Sequence, residues 1–93
     1  MIVMIKSGPD TTDGASGVTL AKVGGADIVL LQNGVYFARK DRLGPFAGAV
    51  YVLDDDKRLR GLKDSEMDAR VKTIDYDKLT DIITGGENVV GMF

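Results

Sequence analysis

A chain of 93 residues with a formal charge of -2 is long enough for one hydrophobic core, and it has no basic excess with which to track a phosphate backbone, so direct nucleic-acid binding is not expected. The 44% apolar and 28% charged residues are the mix of an ordinary soluble globular protein. With neither Cys nor His, the chain has no thiolate nucleophile, no disulfide, no imidazole base and none of the common zinc or haem ligands.

Met1 to Ile5 is apolar but is closed by Lys6, Gly8 and Pro9. This is far short of the roughly 7 to 15 apolar residues of a signal-peptide core or the roughly 20 of a membrane span, so a cytoplasmic protein is expected. Ile2 to Ile5 reads as a first strand. The segment from Ser7 to Gly25 carries a face of Ala15, Val18 and Ala21 or Lys22, which predicts a helix from Asp13 to Val23, although Gly14 and Gly17 each cost about 1 kcal/mol relative to Ala in a helix interior. Ile28 to Leu31 is a second strand, ending in Gln32-Asn33-Gly34. A short helix is expected from after Gly34 through Arg39, with Gly44-Pro45 as its stop.

Ala49 to Leu53 is a third strand. Asp54-Asp55-Asp56 then places carboxylates at the positive end of a short helix expected to turn Leu59 and Leu62 inward, with Gly61 near its end. After a fourth strand, Val71 to Ile74, Asp75 can cap a helix whose Tyr76, Leu79, Ile82 and Ile83 fall on one face, with Gly85-Gly86 as a left-handed stop. Val89 to Phe93 closes the series as an apolar segment without the charge that usually protects a sheet edge. Continuously apolar strands suit sheets covered on both faces, and parallel strands need crossover helices. The fold class expected is a single three-layer α/β domain over residues 1–93, with about five mostly parallel strands and helices on both faces.

Gln32-Asn33-Gly34 has two readings. In open α/β sheets ligands bind beyond the carboxyl ends of strands, so free N–H groups there, aided by the two amides, suit an anion. Equally, Asn-Gly makes a tight turn because both residues tolerate positive φ. The Ser7-Gly8-Pro9 and Asp13-Gly14-Ala15-Ser16-Gly17 stretches lack the spacing of either nucleotide-binding glycine motif. The acidic triplet reads as a cap and dipole partner rather than as a Mg²⁺ site. No imidazole activates Ser7, Ser16 or Ser65, and no spacing singles out a Ser-Lys pair with Lys6 or Lys22. Lys57-Arg58-Leu59-Arg60 reads as a solvated helix face, with a docking patch as the alternative. Tyr36 and Phe37 are adjacent and diverge by about 100° on a helix, so one of them is expected to face a partner subunit.

The ordered set Ala26 to Ala38 (ADIVLLQNGVYFA), Val50 to Leu62 (VYVLDDDKRLRGL) and Ile74 to Thr84 (IDYDKLTDIIT), with IKSGP near the start, resembles the DsrH/TusB family of small sulfur-relay proteins. The resemblance implies a DsrE-like fold and membership of a cytoplasmic assembly. There, DsrE- and DsrF-type, or TusC- and TusD-type, subunits pass persulfide sulfur toward tRNA wobble-uridine 2-thiolation or in sulfur oxidation. Some relatives of this size are homodimers. The first-helix cysteine found in several members falls at or near Val18 here, and Phe93 stands where a tryptophan is frequent. Valine cannot hold sulfur, so the expected role is that of a non-catalytic scaffold or partner-binding subunit, with no cofactor. The alternative is a stand-alone, homo-oligomeric module binding a small anion or metabolite at the helix starts after Ser7 and Asn33. Ser7, Gln32, Asn33, Gly34, Tyr36, Asp54, Arg60 and Gly61 are the residues expected to line an interface or cleft.

Overall fold

In a computed structural model, which describes residues 1–85 and 88–92, five strands form one sheet in the order β4-β3-β2-β1-β5, and every neighbouring pair is parallel. The strands are β1 (Ile2–Ile5), β2 (Asp27–Leu30), β3 (Val50–Leu53), β4 (Val71–Ile74) and β5 (Val89–Met92). Between them lie helices α1 (Thr12–Gly24), α2 (Asp54–Leu59) and α3 (Tyr76–Ile83), and 3-10 helices at Gln32–Ala38 and Asp64–Glu66. The fold is the expected α/β class, with the parallel arrangement complete rather than partial.

The strand side chains divide strictly by alternation. Val3, Ile5, Ile28, Leu30, Val50 and Val52 pack with Val18 and Ala21 of α1 and with Val35, Phe37 and Ala38 of the first 3-10 helix. Ile2, Val29, Leu31, Leu53 and Ile74 face the other way and meet Leu79 of α3. Both faces are therefore apolar, which is why the strands read as unbroken hydrophobic runs. The topology explains the two layers. From β1 to β4 the chain steps in one direction across the sheet, but from β4 to β5 it returns past the others, and a right-handed crossover in the opposite direction must use the opposite face. The order of strands thus reverses at β1, whose neighbours are β2 and β5.

Helix α1 begins at Thr11, whose hydroxyl accepts the Gly14 N–H at 3.0 Å. Gly14 is buried because the helix start presses on the preceding turn; a Cβ there would lie 2.3 Å from the Gly8 carbonyl oxygen. Helix α3 opens with the expected Asp75 cap, its carboxylate accepting the Lys78 N–H at 2.8 Å. Only Leu79 of its predicted face is buried; Ile82 is half-buried, and Tyr76 and Ile83 are exposed, since eight residues span too little of the sheet to bury two full turns. Gly85 does not take the left-handed conformation expected of a stop, and Gly86 lies outside the described residues, as does Phe93 at the end of the last apolar run.

Helix α2 inverts its expected pattern. Leu59 is 80% exposed and Lys57 is buried. The helix has a single phase over six residues, and that phase turns the Lys57 stem inward while its ammonium pairs with Asp64. Leu62 does reach the core, but only after the helix stops: Gly61, at φ +68°, lets its N–H bond the Arg58 carbonyl and the Leu62 N–H bond the Lys57 carbonyl, both at 3.1 Å.

Candidate functional site

The turns after β1, β2 and β3 meet at the carboxyl edge of the sheet. After β2 the chain enters its 3-10 helix directly at Gln32, not after Gly34, and leaves it at Ala38, well before Gly44. The residue with positive φ is Gln32, at 48°, whereas neither Asn33 nor Gly34 takes that conformation. Gly34 is required for a different reason. Its backbone rests on β1, its N–H bonding the Leu31 and Lys6 carbonyls, and a Cβ would lie 2.1 Å from the Ile5 carbonyl oxygen.

The amide at this helix start already has an anion. The Gln32 N–H donates to Asp56 Oδ2 at 2.8 Å, the Arg60 Nε donates to Asn33 Oδ1 at 3.0 Å, and Arg60 Nη1 lies 3.8 Å from Asp56 Oδ1. An internal carboxylate thus stands where the sequence suggested an external one, and it locks the β2 turn to α2. Asp54, the member of the triplet expected at the site, instead holds Arg58 Nε at 3.0 Å, and Asp55 holds Arg58 Nη2 at 3.1 Å. Asp56 was the residue missed. Its signal was the four-residue spacing to Arg60, which puts both on one helix face.

Ser7 is half-buried in the turn beside β1, and the Gly8 it precedes packs beside Asn33. Gln32, Asn33 and Gly61 are exposed, while Asp54 and Arg60 are half-buried. These residues, with buried Gly34, share one edge of the molecule. Tyr36 lies beside them, across the turn after β1. It is half-buried in a cleft of about 290 Å³ with Pro9, Asp10, Arg39 and Arg42, and the Arg39 guanidinium lies 5.9 Å from its ring centre. Phe37 beside it is buried in the core. A wider, open groove of about 730 Å³ runs instead along the outer side of α1, past Thr12, Ala15, Ser16, Thr19, Leu20 and Val23.

The loop from Arg39 to Ala49 is tied down at its base. Arg39 and Met67 form an isolated antiparallel bridge, the Asp68 N–H bonds the Ala38 carbonyl at 2.7 Å, and Lys22 Nζ reaches the Leu43 carbonyl at 2.8 Å. Arg70 links Asp68, at 2.7 Å, to the Gly44 carbonyl, at 2.8 Å. Hydrogen bonds from the Arg70 side chain, then from its backbone N–H, hold the Asp68 carboxyl down to about 2. The Lys63 backbone N–H, then Arg39, lowers that of Glu66 as well. Among the described residues no three acidic side chains converge as a metal site, and no helix is long and apolar enough to cross a membrane.

A family model described as "DsrH like protein" matches residues 10–89. The chain is also similar to protein Tm0979 from Thermotoga maritima, solved in solution by NMR: the two are 30% identical, 95% of this chain and 97% of that one are covered, and the TM-score is 0.66. No curated protein matches the chain. A family match over most of the sequence, joined to a like fold at appreciable identity, shows that the chain belongs to the DsrH-like family of small sulfur-relay-related proteins.

Proposed function

We propose that this chain acts as a non-catalytic subunit of a cytoplasmic sulfur-relay assembly, docking against small α/β subunits of the DsrE type that carry the cysteines. A persulfide needs a thiolate, and this chain has none. Even at Val18, the position nearest the family's first-helix cysteine, the side chain is buried in α1. The chain's contribution is therefore a surface.

The observation that carries this reading is the free side of β5. Ile2 donates to the Asn88 carbonyl, so by strand alternation Val89 and Gly91 turn their N–H and C=O groups away from β1. Among the described residues no element pairs with that side. Within the strand itself no described residue is charged: it reads Val89-Val90-Gly91-Met92, and the adjacent outer side of α1 offers Ala15, Ser16, Thr19 and Val23. Isolated proteins blunt such edges with charge, as Lys72 does on β4 at the other end of the sheet. An unguarded edge beside an uncharged helix face suits a permanent subunit contact. Ser7, Gln32 and Asn33, at the carboxyl edge close by, would then form a wall of the partner's site.

The test is affinity purification of the tagged chain from its native host. The expected result is repeated recovery of a cysteine-bearing small α/β protein. Recovery of the chain alone, or only with copies of itself, would count against the relay assembly.

A further inference from the structure

The Tyr36 cleft is absorbed neither by the β5 edge nor by the Asp56 lock. Its walls come from the turn after β1 (Pro9, Asp10) and from the end of the first 3-10 helix and its following turn (Tyr36, Arg39, Arg42). At about 290 Å³ it lies just under the roughly 300–1,000 Å³ of drug-sized sites, so its occupant would be small.

The arginines in it differ from the rest. Arg58, Arg60 and Arg70 each pair with an aspartate on their own segment. Arg39 has a looser partner, Glu66 at 3.4 Å with both side chains substantially exposed, and Arg42 has no carboxylate partner at all among the described residues. The turn presenting them is held firmly. Leu43, the next residue, is buried, the Arg42 N–H bonds the Arg39 carbonyl, and the Lys40 N–H bonds the Glu66 carbonyl at 3.1 Å. Asp41 takes a left-handed φ of 67° within this turn, a conformation that aspartate adopts more readily than most residues with a side chain. A pinned turn that brings an unpaired guanidinium next to a weakly paired one, with an aromatic wall beneath, is arranged to receive negative charge.

We infer that the cleft of Tyr36, Arg39 and Arg42 binds a small multi-oxygen anion of the phosphate or sulfate kind. Arg42 supplies the open guanidinium, and Arg39 exchanges its Glu66 contact for the ligand. Asp10 on the rim and Glu66 behind Arg39 oppose the anion and limit its affinity. The site requires nothing of the relay assembly, and the isolated 93-residue chain is sufficient to examine it.

The experiment is an NMR titration of the labelled chain with inorganic phosphate, at an ionic strength held constant with chloride and read at the Tyr36 amide and the Arg39 and Arg42 Nε–H groups. Saturable shifts confined to these groups are expected. Arg42→Gln should weaken binding by about tenfold or more, the scale of one charge-assisted hydrogen bond. Glu66→Gln should tighten it several-fold by releasing Arg39, an effect that a merely structural Glu66 would not produce, and Lys72→Gln on the edge strand β4, outside the cleft lining, should leave it unchanged. Shifts that fail to saturate, that centre on Gln32 to Gly34, or that survive Arg42→Gln intact would overturn the assignment.

Discussion

At the scale of single residues, contacts that cannot stretch decide the geometry of the carboxyl edge. Gly34 is one such point: the atom a larger residue would add meets the Ile5 carbonyl at 2.1 Å, and that oxygen belongs to a central strand that cannot withdraw. Gly34→Ala should therefore destabilise the fold by about 2–3 kcal/mol or more, measured as a fall in urea midpoint at constant slope. Asp68 is another such point. Its carboxyl, held near 2 against an ordinary value of 3.8, contributes stability that is present above about pH 4 and lost as the pH falls through about 2. The urea midpoint of the parent should fall across that window, and Asp68→Asn should remove that part of the fall. An identical acid profile in the variant would show that Arg70 does not depend on the charge.

At the scale of elements, the end of α2 makes a separate prediction. Nothing lies within 4 Å of the place a Gly61 side chain would occupy, so its constraint is the φ of +68° alone. Gly61→Ala should cost about 1–2 kcal/mol, and Gly61→Asn, which tolerates that conformation, distinctly less; circular dichroism during thermal unfolding would rank the three. At Gly34 the same two replacements should both be severe, because there the obstacle is another atom. Elements of this kind differ in how far they can be read from sequence. Strands with both faces covered announce themselves as apolar runs, and Asp75 announces α3 because its bond is local. The phase of α2 was not legible, since six residues hold too few turns to average over and Leu59 and Lys57 exchanged places. Nor was the 3-10 start at Gln32 legible, because the carboxylate that receives its N–H comes from Asp56, 24 positions away. The expected site residues lie at the carboxyl edge, with Tyr36 in the cleft beside it, as the general rule for carboxyl ends of strands implies; which carboxylate would face Gln32 required the register of two helices.

At the scale of the whole molecule, the two sheet edges are treated differently. β4 carries Lys72, while β5 has Val89 37% exposed and no charge. Val89→Lys adds a charge at an already accessible position and should leave the monomer's fold intact, as judged by its circular dichroism. It should abolish co-purification of a cysteine-bearing partner, or at least reduce it about tenfold, a change of about 1.4 kcal/mol. Unchanged recovery would place the contact elsewhere.

The all-parallel sheet has a further consequence, for how the molecule comes into being. No two strands are joined by a hairpin, so no local pair can serve as a folding nucleus, and the first strand must find the last, Ile2 opposite Val89, across nearly the full sequence. Closing such long loops before any reward is gained makes folding slow for a chain of this size, in the millisecond-to-second range typical of nonlocal topologies. Until β5 docks, β1 is itself an open rim, and whatever captures nascent β-strands in the cell competes with the chain's own final strand for that place.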